Sequence, residues 1–226
     1  MWQRGRMSSL TWHDRIALLD LGDGENRLNN ESMVETGRLL DEVEAAAGVT
    51  CDGLVYGGTG RAFSLGFDLE AVGGDIDRIQ EFGATFQQLC ARLLVFPMPT
   101  VAMVNGHAIA AGAVLGIVAD ERVMRADRGW FSLPEVDLGA GFTPFLVELF
   151  RTKFSPGTIS EATLTGRRYG GDDAVSAGLA ASAHLEEDLQ AAAVGLCRSR
   201  GPKTPENVRL IKQSLFRSVL QQPGLG

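Results

Sequence analysis

The sequence predicts an α/β fold with largely parallel strands, on three observations. Short apolar runs bounded by glycine or proline, at residues 52–58 and 100–104, have the length and composition of buried strands. Longer segments between such runs space their apolar residues at helical intervals. The two patterns alternate along the chain, which calls for crossover connections and parallel pairing.

Residues 10–21 alternate around a central polar break, as a strand pair ending at Gly22 does. Asn30 or Ser32 can cap a helix through Met33, Leu39, Leu40 and Val43 that stops at Gly48. After the strand at 52–58, a long helix is expected from about Asp75 to Phe96. Ile79, Phe82, Phe86, Leu89 and Leu93 share one of its faces, and Pro97 and Pro99 end it. A small-residue helix is expected at 108–118, and strands at 121–124 and 130–132. Helices follow at 144–153, 156–164 and 172–177, then a last strand at 179–183. Terminal helices are expected at 185–199 and 205–220. The expected organisation is a core over 1–184 and a helical segment over 185–226.

The chain has 226 residues, 45% of them hydrophobic and 22% charged, with a net charge of −7. It is long enough to bury roughly 70% of its unfolded surface. The acidic balance argues against nucleic-acid binding, and no stretch approaches a membrane span. Cys51, Cys90 and Cys197 are odd in number and far apart, so neither a disulfide framework nor a metal motif is expected. That usage fits a reducing cytoplasm. His13, His107 and His184 have no ligand spacing, so no metal is expected. Residues 1–7 lack the apolar stretch of a secretory signal, and Met7 is an alternative start to Met1.

Two segments carry the chemistry. One contains Ala62, Phe63, Ser64, Leu65, Gly66, Phe67, Asp68 and Leu69. The other runs from Asn105-Gly106-His107 to Ala111-Gly112. Each sets small residues where a strand gives way to a helix, so backbone N–H groups are left free to face an anion. Two such donors converging on one carbonyl oxygen make an oxyanion hole. A third segment, Leu133-Pro134-Glu135-Val136, supplies a carboxylate. Trp130, Leu133, Phe142 and Phe145 are expected to desolvate Glu135 and raise its pKa.

These three segments, with Leu164-Thr165-Gly166-Arg167 and the run 174–179, resemble the crotonase family of enoyl-CoA hydratases and isomerases. The resemblance implies a spiral of ββα units assembled as a homotrimer or a dimer of trimers. It implies an acyl-CoA thioester substrate that brings its own coenzyme A, with no separate cofactor. By position in the motifs, the oxyanion donors are the backbone N–H groups of Leu65 and Ala111. Substrate contacts are expected at Ala62, Phe63, Ser64, Gly66, Asp68, Gly112, Pro134 and Phe142. Arg27 and Lys212 are weak candidates for the coenzyme A phosphates, and a solvated charge is the simpler expectation for each. Asp68 is expected to cap the turn after Gly66.

Hydratases of the family use two glutamates. One position holds Glu135; the other, three residues beyond Ala111, holds Val114. Valine transfers no proton. Moving a double bond from C3–C4 to C2–C3 needs one base, so the pattern resembles the Δ3,Δ2-enoyl-CoA isomerase branch. The rivals are a hydratase or other crotonase reaction with Asp137 or Glu148 supplying the second acid, and a non-catalytic acyl-CoA binder. A serine-hydrolase reading fails for want of a nucleophile turn. Many family members continue past the helix at 205–220, so the resemblance implies either a short branch of the family or a site closed by neighbouring subunits.

Overall fold

The computed structural model describes residues 8–73 and 76–223, without the side chains of Val72 and 76–80. Met1, Met7 and Asp75, and the Ile79 side chain, lie outside that description. Two sheets carry the fold. The larger has the strand order β1-β2-β3-β5-β7-β9; the smaller is β4-β6-β8. The strands are β1 Ser9–His13, β2 Ile16–Asp20, β3 Gly53–Gly57, β4 Ala62–Ser64, β5 Thr100–Val104, β6 His107–Ile109, β7 Glu121–Arg125, β8 Phe131–Ser132 and β9 Ser182–His184. Among the described strands, β1 and β2 pair antiparallel, across a tight turn at Asp14 (φ 54°). The other strand-to-strand pairings are parallel, and an isolated antiparallel bridge joins Phe131 to Tyr169.

Three times a long strand of the larger sheet turns directly into a short strand of the smaller one: β3 into β4, β5 into β6, β7 into β8. Helices return the chain after each pair, giving a spiral of ββα units. The central strands of the large sheet, β2, β3, β5 and β7, are buried on both faces, so their side chains alternate between two cores. Leu54, Tyr56, Ala102 and Val104 face the main core; Ile16, Val55, Val101 and Val123 face a smaller one.

The main core is closed by α1 Asn30–Ala45, α3 Ile76–Leu94, α4 Ala111–Ile117 and α5 Pro144–Lys153. Asn29, rather than Asn30, caps α1. Its side chain accepts from Ser32 N–H at 2.8 Å while Ser32 Oγ accepts from Asn29 N–H at 2.9 Å. Phe82, Phe86, Leu89 and Leu93 of α3 are buried, as their spacing predicts. The short α2 spans Leu69–Val72; α6 spans Pro156–Thr165 and α7 Gly171–Ser176. On the smaller core, Leu189, Ala193, Val194 and Cys197 of α8 Glu186–Arg200 pack against the sheet.

Three expectations need correction. The helix expected at 108–118 begins only at Ala111, because Ala108 and Ile109 pair with Phe131 and Ser132. The last strand is shifted to Ser182–His184, because Leu179 and Ala180 donate back to Ala174 O and close the α7 turn. The last helix divides at Phe216 into α9 Pro205–Leu215 and α10 Arg217–Leu220.

Candidate active site

The three short strands lie side by side and run in one direction. Their C-terminal ends therefore release the chain at one edge: β4 into Leu65, β6 into Ala110–Ala111 and β8 into Leu133–Glu135. Ala110 N–H donates to Ser132 O at 3.0 Å and joins the second and third of these exits. Glu135 lies three residues past Ser132, a reach of at most about 10 Å.

Glycine brings the first two exits together. Gly66 has φ +83°, and a Cβ there would lie 3.0 Å from Ile109 O and 3.4 Å from Ala111 N. A Cβ on Gly112 would stand 2.1 Å from Ser64 O. The helix start thus rests on the end of β4 with no room for a side chain.

Ala111 opens α4, and among the described residues its N–H has no hydrogen-bond acceptor. A free N–H at a helix start points positive potential outward. Ala110 before it takes φ 51° and ψ −124°, a strained conformation for a residue with a Cβ. Ser132 O holds it there.

Leu65 corrects the expectation of a second open donor. Its N–H donates to Glu25 O at 3.0 Å. The segment 25–28 runs as a strap along 65–68: Leu28 N–H donates to Gly66 O at 2.8 Å, and Asp68 N–H to Leu28 O at 2.9 Å. Gly66 N–H donates to Ser64 Oγ at 3.2 Å, and that hydroxyl donates to Asn26 O at 2.7 Å. Asp68 caps α2 through Ala71 N–H at 3.3 Å, the capping role expected for it.

Glu135 sits in a single 3₁₀ turn, Pro134–Val136. Its Oε2 is buried and has no hydrogen-bond partner. Buried polar atoms are seldom left so, and a reactive carboxylate is one reason they are. Burial pushes its pKa above the ordinary carboxyl value, and a bond from its own backbone N–H only partly opposes this. Leu133 and Phe145 beside it in sequence are buried, and Phe142 packs edge-on to Phe150 at 5.2 Å. Trp130 does not join them. It packs against His107 at 4.9 Å and Arg168 at 5.0 Å, at the opposite end of β8.

The other candidates separate. Ala62, Phe63 and Ser64 are buried, and the Ala62 and Phe63 carbonyls accept from Asn26, so these residues back the first arm rather than reach outward. Arg27 is exposed, pairs with Glu25 at 2.7 Å and stays near the strap. Lys212 overturns both expectations for it. It is buried, donating to Asp120 Oδ2 at 2.6 Å and Met98 O at 2.9 Å, and so pins α9 to the core. Asp137, a candidate second acid, is exposed and is carried off the Glu135 face by the 3₁₀ turn. Asn26 and Ala110 were missed. The signal for Asn26 was its place in a turn after Gly22 and Gly24, where asparagine tolerates left-handed backbone.

The structure thus sets a carboxyl group whose pKa burial raises and an open helix-start amide at the exits of one small sheet. The chain matches the enoyl-CoA hydratase/isomerase family over residues 13–223, and it belongs to that family. It is 32% identical over 231 residues to the peroxisomal enoyl-CoA delta isomerase 2 of Arabidopsis thaliana, covering 97% of this chain and 96% of that one. It is 31% identical to the 2,3-dehydroadipyl-CoA hydratase of Escherichia coli, covering 93% and 83%. An apo enoyl-CoA isomerase structure from Mycobacterium tuberculosis superposes with a TM-score of 0.87 at 25% identity, covering 96% and 95%. The human mitochondrial delta3-delta2-enoyl-CoA isomerase shares the fold, with a TM-score of 0.86 at 18% identity and coverage of 95% and 84%.

Proposed function

We propose that this enzyme is a Δ3,Δ2-enoyl-CoA isomerase with Glu135 as its only acid–base group. The observation that carries this is the buried, unpartnered Oε2 of the half-buried Glu135, at the edge where Ala111 N–H is open. The Glu135 carboxylate removes a proton from C2 of a 3-enoyl-CoA. The electrons of that C–H bond form a double bond toward C1, and the thioester oxygen takes the negative charge. Ala111 N–H and the α4 dipole hold that oxyanion. The Leu65 N–H, already directed at Glu25 O, is shared with it as a three-centre bond. The enolate then collapses: C2–C3 becomes the double bond, and the Glu135 carboxyl returns the proton to C4. No atom is gained or lost.

A raised pKa suits a group that must accept and return the same proton. Val114 supports isomerisation over hydration, because it is buried in the main core at the position of the second hydratase acid. The isomerase names among the relatives support the same choice.

The test is incubation with 3-hexenoyl-CoA, following the conjugated 2-enoyl product by absorbance. Conversion that Glu135→Gln abolishes is the expected result. No conversion, or conversion undiminished by Glu135→Gln, overturns the proposal. Water addition to 2-hexenoyl-CoA in a parallel assay reads the hydratase alternative.

A further inference from the structure

Asn26 has no part in the chemistry above, yet it stands where the strap meets the first arm. Its backbone is left-handed at φ 48°. Its Nδ2 lies 3.2 Å from Gly22 O, 3.0 Å from Ala62 O and 3.1 Å from Phe63 O. An amide carries two N–H donors, so at least one is divided among these three carbonyls. Two of the carbonyls belong to β4, immediately before Ser64 and Leu65.

The same residue holds the arm a second way. Asn26 O accepts from Ser64 Oγ, and the adjoining Glu25 O accepts from Leu65 N–H. The link extends to the second arm. Ala62 O also accepts from Asn105 Nδ2 at 3.3 Å, and Asn105 stands at the turn into β6. One carbonyl therefore ties the strap, the Leu65 arm and the strand that delivers Ala111.

We propose that Asn26 is a positioning residue for the oxyanion site. By fixing the peptide planes from Ala62 to Leu65 it holds the Leu65 N–H, which donates to Glu25 O, where a three-centre bond can take in the oxygen that Ala111 also meets. This rests on the isomerase reading of the site. Oxyanion donors act by being aimed before the charge develops, so an arm that drifts loses rate more than affinity. Asn26 touches no substrate atom and acts through Glu25 O, Ala62 O and Phe63 O.

The test uses Asn26→Gly, which keeps the left-handed backbone and removes the three side-chain bonds. Infrared difference spectra of bound hexanoyl-CoA labelled at the thioester carbonyl report polarisation without turnover. The wild-type protein should lower the carbonyl stretch relative to free ligand, and Asn26→Gly should recover much of that shift. With 3-hexenoyl-CoA, kcat should fall about 10- to 100-fold, with KM within about threefold. Ser64→Ala removes the hydroxyl bond from the other side, without disturbing a left-handed residue. It should move the stretch the same way by less.

A wild-type stretch and kcat in Asn26→Gly overturn the proposal. If Asn26→Gly does not fold, a full wild-type shift in Ser64→Ala overturns it. A wild-type carbonyl that stays at its solution frequency removes the oxyanion reading and this role together. A shifted carbonyl in a protein that does not isomerise removes the reaction alone, and the Asn26 effect on the stretch is still read.

Discussion

The two sheets differ in what they spend their residues on. The large sheet uses strands of three to five residues, the central ones β2, β3, β5 and β7 buried on both sides, and the chemistry described above does not draw on them. The small sheet uses strands of two and three residues, and each leads within one to three residues to a group of the site: Leu65, Ala111 or Glu135. Long parallel pairing supplies rigidity; short strands set on that frame supply aim. Catalytic groups on strand ends are held more closely than groups on free loops.

The sharpest break of this contrast is Glu135→Gln. It should lower kcat by about 10³-fold or more, since one group performs both proton transfers. It should not lower Tm, because it removes a charge from a carboxylate that has one oxygen buried without a partner. The pH sign follows from the raised pKa. The folded state holds the proton to higher pH than the unfolded state, so this group's contribution to stability falls as pH rises from about 4.3 through the folded pKa. The Tm difference between Glu135→Gln and wild type should grow over that window and then level off. Over the same window kcat/KM should rise as the carboxylate forms.

On the other side of the contrast, Leu54→Ala in β3 should cost about 2–5 kcal/mol in urea unfolding. It should leave kcat per folded molecule near wild type. Gly112→Ala should cost activity as well as stability. Its Cβ would collide with Ser64 O, pushing the α4 start off β4 and cutting kcat by about 10²-fold. The smallest effect is at Ala110. Glycine there should relieve the strained backbone and raise stability by about 1 kcal/mol, measured by the urea midpoint.

Much of this contrast is legible in the sequence. Periodicity and glycine boundaries locate β2, β3, β5, α1 and α3, because those elements bury enough apolar surface to impose a pattern. The small sheet leaves a fainter trace. β6 hides in a run of small residues that also suits a helix, and pairing with β8 decides the matter. Glu135 is legible as a carboxylate beside Pro134, but its missing partner is a fact of packing. The bond from Leu65 to Glu25 is invisible in sequence, since main-chain acceptors leave no side-chain signature. Lys212 misled because a charged residue is read as solvated, and Asp120 is too distant in sequence to signal the pairing.

Val114 limits what this position can hold. Its side chain is enclosed by the main core. A glutamate there would drop a charge into hydrocarbon and would need new partners to hold it. On the isomerase proposal, Val114→Glu alone therefore does not turn this site to hydration; the packing around it would have to change as well.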